Sequence, residues 1–150
     1  MTLDPEIRRD ALKMLAAREH SRNDLERKLH ARGYALSAVR EVLEDLCGRG
    51  LLSEARMAEA YVAERVRKGF GPLRVRQELR SKGLADALIQ PALAKSTREW
   101  LDLMTAAHDR KFGPERTADP RELTRRARFL EYRGFPAELI GRFLFDDRQI

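Results

Sequence analysis

The side chains with the clearest capacity for binding chemistry are seven basic residues between Arg65 and Lys82, with Glu78 as the one acid among them. These seven residues are Arg65, Arg67, Lys68, Arg74, Arg76, Arg80 and Lys82. Seven positive charges and one negative charge give the segment +6, which equals the formal net charge of the 150-residue chain. Such a local surplus predicts a docking surface, although a solvated helix face with ordinary ion pairs is the alternative.

A second, lower-ranked group of candidate binding residues lies towards the C-terminus, where nearby acids offset the basic charge. The helix that carries it contains Arg121, Arg125, Arg126, Arg128 and Arg133, and the candidate contacts among them are Arg125, Arg126 and Arg128. Arginine outnumbers lysine in both groups. The planar guanidinium favours bidentate pairing with carboxylate or phosphate groups, so we expect a partner that carries one of these.

The sequence shows no set of residues typical of catalysis, metal binding or nucleotide binding. The phosphate-cradling pattern GxxxxGK is absent. His20, His30 and His108 are too far apart for ligand spacing, and we expect them on the surface. Cys47 is the single cysteine, so it cannot form an intramolecular disulfide, and it is predicted to be a small buried apolar residue. We therefore expect no enzyme activity, no metal and no cofactor.

The composition indicates amphipathic helices that must position these side chains. Charged residues make up 36% of the chain and the mean hydropathy is −0.56, which predicts an all-α protein with thin cores. No stretch approaches the roughly 20 apolar residues of a membrane-spanning helix, and the N-terminus lacks an apolar signal core. These features predict a soluble, cytoplasmic protein with no membrane partner.

Three glycines reveal an internal repeat. Gly33, Gly83 and Gly134 lie 50 and 51 residues apart, and each has a leucine four residues before it and an apolar residue directly after it. This pattern is typical of a Schellman stop, in which the glycine adopts the left-handed conformation. Apolar residues also recur six and ten residues beyond each glycine. We therefore predict three tandem three-helix repeats, at residues 1–50, 51–95 and 96–150, which stack into an elongated, slightly curved array.

The helix-start signals agree with this division. Ser53 is a predicted N-cap, and Gly71 followed by Pro72 predicts the start of the next helix. The distance from cap to glycine is twelve residues in the first two repeats and fifteen in the third, from Asp119 to Gly134. The middle helix of the third repeat should therefore be almost one turn longer.

Three stretches of the chain resemble the RecX family of regulatory proteins. GLLSEARMAEAYVAERVRKGFGPLRVRQELRSKGL resembles the middle of these proteins, and REHSRNDLERKLHARGY and RRARFLEYRGFPAELI resemble their first and third repeats. The resemblance covers residues from about 10 to 145. It implies three tandem three-helix repeats and modulation, mostly inhibition, of a RecA-type recombinase by binding along its nucleoprotein filament. It implies no cofactor, and we expect a monomer.

The alternative function is direct binding of single- or double-stranded DNA, since helix, glycine-containing turn and helix also describe a helix-turn-helix unit. The start of the third helix in each repeat is poor in groups that read bases. These starts are Ala35-Leu36-Ser37, Ala85-Asp86-Ala87 and Pro136-Ala137-Glu138. We therefore rank this function second.

Overall fold

The computed structural model describes residues 3–145, and this part of the chain folds into nine α-helices with no strand. The helices are α1 (Pro5–Ala17), α2 (Arg22–Ala31), α3 (Leu36–Gly48), α4 (Glu54–Arg67), α5 (Pro72–Ser81), α6 (Asp86–Ala92), α7 (Thr97–Phe112), α8 (Pro120–Arg133) and α9 (Ala137–Phe145). They follow one another as three consecutive sets of three. The predicted all-α fold of tandem three-helix repeats is confirmed.

The predicted glycine stops are also confirmed. Gly33, Gly83 and Gly134 have φ angles of 97°, 86° and 99°, in the left-handed region. At Gly134 the N–H of Phe135 donates to the carbonyl of Leu130, and the N–H of Gly134 donates to that of Glu131, as a Schellman stop requires. The leucine four residues before each glycine is fully buried.

The third repeat differs from the first two in the way that its cap-to-glycine distance predicts. Helix α8 has 14 residues, whereas α2 and α5 have 10 each. Asp119 accepts a hydrogen bond from the N–H of Arg121 at the start of α8. The additional turn lengthens the helix that carries the second basic group.

The chain forms two compact units whose boundaries fall inside α4 and α5. Of the described residues, the first unit comprises residues 3–60 together with Leu79–Ala92, and the second comprises Tyr61–Glu78 together with residues 93–145. The apolar cluster of the first unit consists of Ile7, Ala11, Leu25, Leu29, Val39, Val42, Leu43, Leu46 and Leu52. The buried apolar residues of the second unit include Val75, Trp100, Met104, Ala107, Leu130, Phe135, Leu139 and Ile140.

The predicted surface position of the three histidines is wrong for two of them. His30 is exposed, but His20 is only 4% exposed and His108 is fully buried. His108 lies on the buried stripe of α7, one turn after Met104, and its ring contacts Phe112 and Phe143. Its position on the helix therefore directs the side chain of this histidine into the interior. There Nδ1 contacts the Asp109 carboxylate and Nε2 contacts the Arg126 guanidinium.

Both buried histidines are held in the neutral form. Burial lowers the pKa of His108, although a hydrogen bond from its Nδ1 to the Asp109 carboxylate opposes the shift. Burial likewise lowers the pKa of His20, whose Nδ1 donates to the carbonyl of Arg18 while Lys28 donates to its Nε2. A neutral imidazole provides the one donor and one acceptor that such a pair of contacts requires.

Candidate functional site

The basic segment lies on the second half of α4, the connection that follows it, and α5. The predicted helix starts are present, because Ser53 Oγ accepts from the N–H of Arg56 and the carbonyl of Gly71 accepts from the N–H of Val75. The connection closes with Gly69 at a φ of 91°. Arg65, Arg67 and Lys68 precede this connection and Arg74 follows it, whereas Arg80 and Lys82 lie near the other end of α5, in the first unit.

The aromatic ring of Phe70 packs against the guanidinium groups of three arginines in the second unit. The guanidinium carbons of Arg65, Arg74 and Arg133 lie 3.8, 4.5 and 4.5 Å from the centre of its ring. Cations at such distances are attracted to the face of an aromatic ring. Arg65 and Arg74 were expected to contact a partner, but the structure shows that both also pack within the unit.

Glu78 is the acceptor that fixes two of these arginines. Arg65 donates to both of its carboxylate oxygens at 2.8 Å, Tyr61 donates its hydroxyl at 2.9 Å, and Arg74 approaches at 3.4 Å. Burial alone would raise the pKa of Glu78, but the hydrogen bonds from Arg65 and Tyr61 outweigh it and hold the pKa below its ordinary value. Burial and the bond to Glu78 raise the pKa of Tyr61 to about 12. At neutral pH the cluster thus contains a carboxylate and a neutral phenol.

Three other cations of the segment have carboxylate partners on the surface. Arg67 and Lys68 share Glu64 at 2.7 and 3.3 Å, and Arg80 pairs with Asp86 at 2.9 Å. The side chains of these cations are between half and three quarters exposed. Exposed ion pairs contribute little to stability, so a partner can displace them at small cost.

The remaining two cations of the segment differ from each other. Lys82 lies 3.6 Å from Asp24 within the first unit. Arg76 is half-buried and has no hydrogen bond or ion pair with any residue in the described range 3–145. Its charge is therefore not compensated by a direct contact within that range.

The three arginines of the second basic group also differ in burial and in the number of polar partners. Arg126 is only 9% exposed, and it donates to Glu122 and to the carbonyl of Glu115, so it serves the interior of the second unit. Arg125 pairs with Glu122 but remains exposed. Arg128 is exposed and makes no polar contact within the described part of the chain.

The structure also gathers basic residues that the sequence reasoning did not bring together. A pocket of about 260 Å³ in the second unit is lined by Lys68, Gly69, Ala107, Arg110, Lys111, Phe129 and Arg133. Its four cations come from three separate stretches of the chain, so no run of basic residues marks it. The only signal in the sequence is that each stretch ends a helix with basic residues, at the ends of α4, α7 and α8.

Neither a candidate metal site nor a candidate membrane-spanning helix is seen in residues 3–145. Within this range no three histidine, cysteine or acidic side chains are grouped so that they could hold a metal ion. No helix there is both long enough and apolar enough to cross a membrane. Cys47 packs against the apolar cluster of the first unit, and burial raises the pKa of its thiol.

Comparison with known structures shows a shared fold. The crystal structure of RecX from Lactobacillus salivarius matches with a TM-score of 0.75 and 19% sequence identity, over 97% of this chain and 96% of that chain. A second crystal structure, of a regulatory protein RecX, matches with a TM-score of 0.71 over 98% of this chain and 81% of that chain.

Comparison of sequences gives a closer relationship. The family models for the first, second and third three-helix domains of RecX match residues 8–46, 53–93 and 98–144. The regulatory protein RecX of Pseudomonas putida is 46% identical over 138 residues, which cover 92% of this chain and 88% of that protein. That of Halorhodospira halophila is 45% identical over 134 residues, which cover 89% and 83%. The chain belongs to the RecX family of regulatory proteins.

Proposed function

We propose that this protein binds the nucleoprotein filament of a RecA-type recombinase and modulates it, chiefly by inhibition. The observation that carries the proposal is the match of all three RecX domains, in order, along most of the chain. Its relatives are named regulatory proteins, and we therefore assign a binding role without catalysis. The role belongs to DNA recombination and repair in the cytoplasm, and we expect the protein to act as a monomer.

The proposed contacts are the exposed cations of the two basic groups together with the half-buried Arg76 and Lys82. They are Arg67, Lys68, Arg76, Arg80, Lys82, Arg125 and Arg128. A nucleoprotein filament offers protein carboxylates and nucleic acid phosphates, and both pair well with arginine. The surface ion pairs that some of these cations now make are weak enough to be exchanged for such contacts.

The other predicted contact residues have a supporting part in this proposal. Arg65 and Arg74 are held by Glu78 and Phe70, and Arg126 is buried. Their replacement would disturb the second unit before it revealed anything about a partner. The exposed cations are therefore the informative positions for mutagenesis.

A three-way binding measurement tests the proposal. The purified protein is titrated with recombinase alone, with single-stranded DNA alone, and with the filament assembled on that DNA, while the recombinase's ATP hydrolysis and strand exchange are followed. We expect binding to the filament to be tightest and both activities to fall. Equal affinity for bare DNA and filament, with no change in either activity, would contradict the proposal and favour a DNA-binding protein.

A further inference from the structure

We propose that the pocket lined by Lys68, Arg110, Lys111 and Arg133 in the second unit is a binding site for a phosphate group. We call it the α4–α7–α8 pocket. Its volume of about 260 Å³ lies below the roughly 300–1,000 Å³ of pockets that enclose drug-sized ligands, which suits a small anionic group. The inference rests on the pocket alone and not on the proposed function.

Two of the cations are fixed by backbone carbonyls at the end of α4. Arg110 donates from Nη1 to the carbonyl of Arg67 at 3.1 Å, and Arg133 donates from Nη1 to the carbonyl of Lys68 at 3.1 Å. Each guanidinium has five N–H donors, so each retains donors for a further acceptor. Because these arginines are already oriented, a ligand loses less conformational entropy in binding them.

The positive charge of the pocket is poorly compensated. None of the seven lining residues is a carboxylate, and Glu64, 3.3 Å from Lys68, is the nearest acid in contact with a lining cation. Arg110, Lys111 and Arg133 make no ion pair with a carboxylate in residues 3–145.

Arg133 lies close to other positive charges, one of which also lines the pocket. Burial lowers the pKa of Arg133, and the neighbouring charges of Arg74, Arg110 and Arg65 lower it further. A bound anion would relieve this repulsion.

Gly69 keeps the pocket open beneath the arginines. A Cβ atom at this position would lie 3.0 Å from Nη2 of Arg110 and 3.4 Å from the Cβ of Ala107. Both distances are at or below ordinary van der Waals contact, so a side chain here would displace the Arg110 guanidinium or fill the pocket. Gly69 therefore lines the pocket without a side chain that would narrow it.

The arrangement fits phosphate better than carboxylate. A carboxylate presents two oxygens in one plane and is matched by a single arginine fork, whereas a phosphate presents oxygens in several directions. Here the lining includes two guanidinium groups and two ammonium groups, carried by residues at or next to the ends of three helices. The phosphate could belong to a nucleic acid backbone or to a free polyphosphate, and the two sources are separated by the choice of probe.

The test compares the wild-type protein with R110Q/K111Q, which removes two pocket charges from exposed side chains. The probes are inorganic pyrophosphate, followed by calorimetry, and a fluorescently labelled oligothymidylate, followed by anisotropy over a range of salt concentrations. Each lost phosphate contact on a single strand should reduce the salt slope by about 0.7, so we expect a slope lower by roughly 1.4 and an affinity lower by at least tenfold near 0.1 M salt. Pyrophosphate binding should be lost as well.

The matched control is R98Q/R121Q, which removes the same charge from exposed arginines of the second unit outside the pocket. It should retain wild-type binding to both probes. The single variant K111Q is a check against misfolding of the double variant, because Lys111 is exposed and makes no hydrogen bond or ion pair within residues 3–145. It should give about half of the change in salt slope with an unaltered melting curve.

The possible outcomes decide the inference separately from the proposed function. Loss of binding in R110Q/K111Q but not in R98Q/R121Q supports the site. The probe whose binding is lost, the oligonucleotide or pyrophosphate, then identifies the source of the phosphate. Equal loss in both double variants, or no binding of either probe by the wild-type protein, overturns it. Filament inhibition by the wild-type protein can persist in that second case, which would leave the proposed function standing.

Discussion

Arginines pair with carboxylates in both compact units, but two arginines of the second unit are held by backbone carbonyls alone. In the first unit, Arg8, Arg22 and Arg40 pair with the carboxylates Asp45, Glu44 and Glu26. In the second unit, Arg110 and Arg133 donate instead to the backbone carbonyls of Arg67 and Lys68, and neither has a carboxylate partner within residues 3–145. A carbonyl orients a guanidinium without neutralising it. The second unit therefore retains positive charge that a partner can use.

Two of the glycine stops, Gly33 in the first unit and Gly134 in the second, differ in how closely neighbouring atoms approach them. A Cβ added at Gly33, in the first unit, would find no atom within 4 Å. A Cβ added at Gly134, in the second unit, would lie 2.6 Å from the backbone nitrogen of Arg74. There the N–H groups of Gly71 and Leu73 donate to the carbonyls of Arg133 and Gly134. One repeated motif thus ends a helix in the first unit and also joins two helices in the second.

The largest effect on stability is expected for G134A. The substitution combines the cost of a left-handed φ for alanine, about 1–2 kcal/mol, with overpacking against the α5 backbone, about 1–3 kcal/mol. We expect the free energy of unfolding to fall by about 2–5 kcal/mol in urea denaturation followed by circular dichroism. A loss no greater than that of G33A would contradict the close helix junction.

The next largest effect is expected for E78Q. Glutamine leaves Arg65, whose side chain is 18% exposed, without its carboxylate, and the cost should be roughly 1–3 kcal/mol. E64Q is the control, since it removes an exposed surface carboxylate and should cost clearly less stability than E78Q in the same measurement.

The same variant has a predicted pH dependence. The folded-state pKa of Glu78 is depressed, so its stabilising contribution is present above the ordinary value of 4.5 and is lost as pH falls through the folded-state pKa. The difference between wild type and E78Q should therefore shrink in acid. A difference that stays constant from pH 7 to pH 3 would argue against the ionised cluster.

For H108Q the predicted effect concerns the pH dependence of stability, and it is confined to one pH range. The folded-state pKa of His108 is depressed, so as pH falls below the ordinary 6.5 the unfolded chain takes up a proton that the folded chain does not. Wild-type stability should fall in that range, and H108Q should reduce the slope by up to about 1.4 kcal/mol per pH unit. Buried His20 should retain its own contribution. H30Q, at an exposed histidine, should leave the slope unchanged.

The smallest effect is expected for G33A. Space is available for the methyl group, so only the left-handed backbone costs energy, at most about 1 kcal/mol after the gain from a less flexible unfolded chain. The same urea experiment measures it beside G134A. A loss as large as that of G134A would remove the difference between the two stops.

Sequence patterns predicted the helices and their order well, because the residues that start and end a helix bond to backbone groups only a few positions away. The left-handed glycines, the start of α5 at Pro72 and the longer α8 follow from such signals. Buried His108 was missed, although it lies on the apolar stripe of α7, because residue type was given more weight than helical position. The expected elongated, slightly curved shape stays a prediction.

The candidate site was less accessible to sequence reasoning. A count of charges cannot distinguish Arg65, held by Glu78, from Arg76, which contacts no carboxylate within residues 3–145. The α4–α7–α8 pocket joins Lys68 to residues about 40 and 65 positions later, as its hydrogen bonds show. Such long-range proximity depends on tertiary packing, and no spacing in the sequence expresses it.

The most direct test of the proposed function is filament binding by R76Q/R80Q over a range of salt concentrations. The control is R9Q/K13Q on α1, which also removes two exposed or half-exposed charges one helical turn apart. Each exposed ion contact is worth up to about 1 kcal/mol, so we predict that R76Q/R80Q binds the filament up to roughly 30-fold more weakly, inhibits it less, and shows a flatter salt dependence at unchanged helicity. The control should match wild type. Wild-type affinity and salt dependence for R76Q/R80Q would contradict the assignment of the basic segment as the contact surface.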